Sequence, residues 1–277
     1  MTQTQLRTHT LPGPVPAGDV ALWVDQRGDG PDVLLLAGLS DPVEAWTFQL
    51  DGLSDRYRLT AFDNRGAGRS PMVPDGFTVV DMADDAAAVL RSLGIEGAHV
   101  MGFSGGSANA QEFALRHPEL VRSLVLVSTW ARPDAYFRAA LDAWRWLAEA
   151  APSERAMLEA FFLWIYTSRA HADGTVEAFI EEALAFEHPQ EPEGFLRQLD
   201  AWSPHDTLDR LSSIDVPTLV VAGGQDRISG PALNREVADA IPGAELVVLP
   251  DEAHQPFQEQ PEAFNTMVAD FWRRVDG

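Results

Sequence analysis

Short apolar runs recur along this chain, separated by stretches with helical spacing, and that recurrence sharply limits the folds open to it. The runs are "VALWVDQ" (20–26), "DVLLLAG" (32–38), "YRLTAFD" (57–63), "AHVMGF" (98–103), "RSLVLVS" (122–128), "PTLVVAGG" (217–224) and "AELVVLP" (244–250). Several are apolar without alternation, as expected of parallel strands covered by helices on both faces. Between them, "VVDMADDAAAVLRSLG" (79–94), "SGGSANAQEFALRHP" (104–118) and "PEAFNTMVADFWRRV" (261–275) carry apolar residues at helical intervals. The last opens on Pro261 and closes on two arginines, both favourable at those ends. The expectation is an α/β fold with a mostly parallel central sheet flanked by helices.

One interval departs from the rhythm. Residues 131–213 contain no convincing strand, yet they are dense in aromatic residues, among them Tyr136, Trp144, Phe161, Phe195 and Trp202. We read 131–213 as an inserted helical cap over the C-terminal edge of the sheet. Residues 1–130 and 214–277 then form the core.

Within this pattern "HVMGFSGGSANAQEFALRHPE" (99–119) packs Gly102, Gly105 and Gly106 around Ser104 at a strand-to-helix junction. The serine is either an N-cap or the nucleophile of a G-x-S-x-G elbow. An elbow lifts the hydroxyl above the sheet by forcing the serine into a sparsely allowed conformation. Side chains two residues away on either side would collide, so glycine at 102 and 106 answers a steric demand. The helix that follows directs its positive end at the site, where negative charge develops.

A hydroxyl needs a base and an orienting acid, in the chain order Ser, Asp/Glu, His. "VVAGGQDRIS" places Asp226 in the loop beyond one strand, and "VVLPDEAHQPF" places His254 beyond the last. Taken singly, Asp226 is equally a turn aspartate and His254 a loop histidine. Three residues in the required order, each after its own strand, favour the catalytic assignment. Asp251 and Glu252 are the alternative acids. His117 fits a helix end, while His9, His99, His171, His188 and His205 follow no comparable strand end. No histidine pair has metal-ligand spacing, so neither metal nor cofactor is expected. The two oxyanion donors are expected to be the backbone N–H groups of Gly105, just after the serine, and Leu39, in the loop after "VLLLAG". Asp41 in that loop reads more simply as a turn aspartate before Pro42 than as a substrate contact.

These stretches resemble the α/β-hydrolase-fold serine hydrolases with a helical cap, nearly end to end. The likeness rests on "LLLAGLSD", "AFDNRGAGRS", "MGFSGG", "VPTLVVAGGQD" and "LPDEAHQPFQEQPEAFN". Within that superfamily the chain is most similar to the branch of enol-lactonases, small-molecule carboxylesterases, carbon–carbon bond hydrolases and cofactor-free haloperoxidases. The resemblance implies Ser104 as nucleophile, Asp226 as acid, His254 as base and an acyl-enzyme intermediate. Three positions depart from the family pattern. Ala37-Gly38 stands where His-Gly is usual, removing a side chain that braces the oxyanion loop. Gly105 replaces a common methionine, opening space beside the serine, and Ala253 replaces a glycine before the histidine.

Composition limits the partners. A formal charge of −22 argues against nucleic acid and against anionic membranes, and with all 20 basic residues arginine a lysine Schiff base is excluded. Without cysteine there is no disulfide or thiolate chemistry. The first residues lack the apolar core of a signal peptide and no run is long enough to span a bilayer, so a cytoplasmic location is expected. Oligomeric state is open. Arg65 and Arg69 read as loop anchors, and Trp130 and Trp164 as candidate pocket residues. The favoured activity is hydrolysis of an ester or lactone of a hydrophobic small molecule. Carbon–carbon bond hydrolysis, perhydrolysis, or low-turnover ligand binding by the same fold are the alternatives.

Overall fold

A computed structural model describes residues 11–277. Its centre is an eight-stranded sheet in the order β1-β2-β4-β3-β5-β6-β7-β8. The strands are β1 (Gly13–Ala17), β2 (Val20–Arg27), β3 (Asp32–Leu36), β4 (Arg58–Phe62), β5 (Ala98–Phe103), β6 (Val121–Val127), β7 (Thr218–Gly223) and β8 (Glu245–Leu249). Only the β1–β2 and β2–β4 pairs are antiparallel; every other neighbouring pair is parallel. All seven apolar runs lie on strands. β1 was not expected, because "GPVPA" carries two prolines. It is tolerated at the sheet edge, where a missing N–H leaves no ladder bond unmade.

Successive residues of a strand face opposite sides, so each strand feeds two cores. Leu34, Val100, Leu124 and Val220 pack beneath α2 (Val79–Ser92), α3 (Gly105–Arg116) and α9 (Pro231–Ala240). Val33, Met101, Val125 and Val221 pack on the other face with α1 (Thr47–Leu53), α10 (Pro256–Glu259) and α11 (Pro261–Asp276). α2 begins on a capping box in which Thr78 and Asp81 satisfy each other's backbone N–H groups.

Between β6 and β7 run five helices, α4 (Ala135–Ala150), α5 (Glu154–Ile165), α6 (Ser168–Ala172), α7 (Thr175–Ala185) and α8 (Pro192–Trp202). Their apolar faces form a third cluster, with Phe137, Trp144, Phe161, Ile180 and Phe195, that also takes in Leu39 and Ile228 from loops at the sheet's C-terminal edge. Among the described residues no helix is long and apolar enough to cross a membrane.

Candidate active site

The loops beyond the carboxyl ends of β3, β5, β6, β7 and β8 converge at one edge of the sheet, where ligands of open α/β folds bind. Backbone strain concentrates there. Among the described residues, the non-glycine positions with positive φ are Ser40 (64°), Ser104 (51°) and Ser128 (52°), each just after one of these strands. Strain of this kind persists only where surrounding contacts over-determine it. At Ser104 they do, since its N–H donates to the Val127 carbonyl at 2.9 Å and its carbonyl accepts from Ser107 N–H and Oγ at 2.8 and 2.6 Å. A Cβ at Gly102 would stand 2.3 Å from the Gly106 carbonyl oxygen, and one at Gly106 would stand 2.0 Å from that of Leu36. Glycine at 102 and 106 is therefore a steric requirement of the turn.

Three side chains meet at this turn. His254 Nε2 lies 2.9 Å from Ser104 Oγ, and His254 Nδ1 lies 2.8 Å from Asp226 Oδ2. All three residues are buried. Burial alone would raise the Asp226 carboxyl, but the charge and N–H of His254, with donors from Ile228 and Ser229, outweigh it and hold the carboxyl below its usual value. Asp226 Oδ1 accepts from Ile228 N–H at 2.7 Å and Ser229 N–H at 3.1 Å. Ser229 Oγ donates to the Ser128 carbonyl at 2.7 Å, and Ser128 Oγ donates to the His254 carbonyl, also at 2.7 Å. The imidazole edge packs on Phe103, with ring centroids 5.0 Å apart. Ser128 and Ser229 went unremarked in the sequence. The spacing in "QDRIS" is an Asx-turn signal, whereas nothing local marks Ser128.

The alternative acids are engaged elsewhere or turned away. Glu252 pairs with Arg169 at 2.9 Å, and Asp251 is exposed. His99 pairs with Ser123 and Asp276, His117 with Asp84, and His205 with Gln111. His9 lies outside the described residues. Among the described residues no group of three or more histidine, aspartate and glutamate side chains is arranged to hold a metal.

Leu39 lines a cavity of about 420 Å³ that also opens onto Ser104 and His254. Its N–H has no acceptor among the described residues, and Gly105 opens α3, where first-turn N–H groups lack an intrahelical acceptor. Two expectations need correcting here. Neither Trp130 nor Trp164 lines the cavity. Trp130 is buried against Phe137 of α4 at 4.4 Å, and Trp164 packs in a T-shaped pair behind Trp144, which lines the cavity in its place. The aromatic wall is built instead from residues such as Trp144, Phe161, Tyr166, Phe179 and Phe186. The space beside Ser104 is also not open. A Cβ at Gly105 would meet the Trp202 ring at 2.5 Å, so the indole of α8 occupies it, with Nε1 donating to Asn109 at 3.0 Å.

Asp41, read as a turn residue, lines the same cavity. Its Oδ1 lies 3.4 Å from Gln255 Nε2. Burial raises its carboxyl to about 7, against the smaller opposing influence of His254, Gln255 and the Gly38 backbone. Arg65 holds Asp85 and Asp19, and Arg69 holds Glu44, so both act as the loop anchors expected.

The comparisons with known proteins agree with this architecture. Residues 31–261 match the family model described as the alpha/beta hydrolase fold. A candidate carbamate hydrolase, RutD, of Azorhizobium caulinodans is 32% identical over 259 residues, covering 94% of this chain and 97% of its own. A thermophilic esterase from Thermogutta terrifontis superposes with a TM-score of 0.83 at 29% identity, over 95% of this chain and 98% of that one. The enol-lactonase of Burkholderia xenovorans LB400 gives 0.83 at 26% identity, over 94% and 100%.

Proposed function

The chain belongs to the alpha/beta hydrolase fold family, and from that premise we propose that it is a serine hydrolase cleaving an ester or lactone of a hydrophobic small molecule through an acyl-enzyme. The observation that carries this reading is the unbroken line from Ser104 Oγ to His254 Nε2 at 2.9 Å and from Nδ1 to Asp226 at 2.8 Å. The strained backbone of Ser104, which aims Oγ at the cavity edge, supports it. So does the esterase and lactonase activity in the names of similar structures.

In this reading His254 takes the proton of Ser104 as Oγ attacks the carbonyl carbon. Asp226 accepts the Nδ1–H bond, fixing the tautomer and stabilising the imidazolium. The N–H groups of Leu39 and Gly105 hold the oxyanion, with the N-terminus of α3 adding its field. His254 then protonates the leaving oxygen. Water then attacks the acyl carbon as His254 takes its proton. The imidazolium returns that proton to Ser104 Oγ as the acyl–oxygen bond breaks and the acid leaves. Helices α4–α8 are the cap of residues 131–213, set into the core of residues 1–130 and 214–277, and their aromatic wall accounts for an apolar substrate.

The test is intact-protein mass spectrometry after exposure to a fluorophosphonate, with wild type and Ser104→Ala in parallel. A single adduct on wild type alone, and loss of aryl-ester turnover in Ser104→Ala with an unchanged circular-dichroism spectrum, is the expected result. A folded wild type that takes no adduct and cleaves no ester would overturn the reading and favour a ligand-binding protein.

A further inference from the structure

The charged side chains around the cavity are one-sided. Its carboxylates are the half-buried Asp41, Glu44, and the exposed Glu154 and Glu182, and the only other titratable lining groups besides tyrosine are the imidazoles of His254 and the exposed His188. No arginine is among the lining residues, and the chain has no lysine. Glu44 also lines it, but Arg69 already neutralises that carboxylate at 2.6 Å while lying 5.0 Å over the Phe186 ring. Asp41 has no such partner. It receives only neutral donors, the Gln255 amide at 3.4 Å and the Gly38 backbone.

A carboxylate withdrawn from water without a counter-ion is held at a free-energy cost that an arriving cation would offset. Burial raises the proton affinity of Asp41, and the nearby His254, Gln255 and Gly38 backbone do not offset it. The rest of the wall is independently suited to a cation. Trp144, Phe161, Tyr166 and Phe179 line the same space, and aromatic faces attract ammonium groups, alkylated ones above all. Asp41 also stands two residues beyond Leu39, on the loop that reaches the reacting carbonyl.

Resting on the serine-hydrolase reading above, we propose that Asp41 is a specificity-determining residue and that the substrate is a hydrophobic ester or lactone carrying a cationic nitrogen, an amine or quaternary ammonium, with carboxylate-bearing analogues rejected. The aromatic wall surrounds the alkyl groups of the cation and Asp41 supplies the opposing charge. The protein's overall negative charge acts from a distance and is screened by salt, whereas a contact inside the cavity is screened far less.

The experiment compares three 4-nitrophenyl esters of matched chain length at pH 8.5 and in 0.5 M salt: a trimethylammonio-butanoate, its neutral tert-butyl isostere, and a glutarate monoester. Wild type should favour the cationic over the anionic ester by about 100-fold in kcat/KM, and Asp41→Asn should shrink that ratio by about tenfold, as expected for loss of one nearby charge. A wild-type ratio near one, or a ratio unmoved by Asp41→Asn, overturns the proposal. A fold defect would depress both esters together and leave their ratio intact. If no ester is cleaved and Ser104 takes no fluorophosphonate, it is the hydrolase reading that has failed. The cation preference is then read by calorimetry with 4-phenylbutyl-trimethylammonium and 4-phenylbutanoate. At least about tenfold tighter binding of the cation, reduced by Asp41→Asn, supports the proposal; equal binding overturns it.

Discussion

Asp226 illustrates what a single residue contributes. Its Oδ1 is occupied by two backbone donors and its Oδ2 by His254. An asparagine preserves the volume but presents either an amide N–H to Nδ1 or a neutral oxygen, so the imidazole loses its fixed tautomer. Asp226→Asn should therefore lower kcat by about 10³–10⁴-fold, with fluorophosphonate labelling of Ser104 slowed in parallel. A loss under tenfold in steady-state assays would remove Asp226 from the mechanism. Ser104, Asp226 and His254 were legible in the sequence because an elbow and two post-strand loops have local signatures. Asp41 was not. A turn aspartate and a cavity carboxylate look identical until the far wall is known, and that wall comes from α4, α5 and α7. Trp130 and Trp164 were misread for the same reason, since a large aromatic residue near a site faces inward or outward according to helix packing.

At the scale of elements, α8 grips both sides of the proposed oxyanion site. Gln198 Oε1 accepts the N–H of Ser40 at 3.3 Å, next to Leu39, while its Nε2 donates to the Arg65 carbonyl. One turn on, Trp202 covers Gly105. The family's histidine brace is absent at Ala37, and the loop is held from above by this helix instead. α5 reaches the other end of the site, where the Ile165 carbonyl accepts the His254 N–H at 3.0 Å. Gly105→Ala drives a methyl into the indole and should destabilise the protein by about 1–3 kcal/mol while lowering kcat. In a Trp202→Leu background the same change should cost at least about 1 kcal/mol less, measured as a double-mutant cycle by urea unfolding. Gly106→Ala is the control. Its Cβ meets the Leu36 backbone, so Trp202→Leu should give no relief. Strands β2–β8 and the helices α2, α3 and α11 could be read from periodicity, and five α-helices do fill the strandless interval. Which faces of α8 touch the core could not be read, because that depends on contacts between residues 93 to 158 positions apart.

For the whole molecule, the junction between the five-helix layer and the sheet contains its own acid-sensitive element. The chain leaves β6 past Ala131 and returns past Thr207, whose N–H donates to the Ala131 carbonyl at 3.0 Å, so the two crossings are pinned together. His205 is buried between them, its Nε2 near Gln111 Oε1 at 3.3 Å and its Nδ1 without a partner. Burial lowers its imidazole to about 4, with Glu112 and Asp206 pulling weakly upward and Arg210 downward. The unfolded chain then binds the proton more readily, at an ordinary value near 6.5, so this contribution to stability is present above 6.5 and is lost as pH falls toward 4. Between pH 7.5 and pH 5 wild type should lose about 2 kcal/mol more than His205→Gln, with the amide keeping a bond to Gln111. The many surface carboxylates of a chain with formal charge −22 titrate over an overlapping range, but they are common to both proteins and cancel in the difference. Equal losses in the two proteins, measured by urea unfolding at each pH, would mean that His205 is hydrated in solution and that the junction opens more readily than its hydrogen bonds imply.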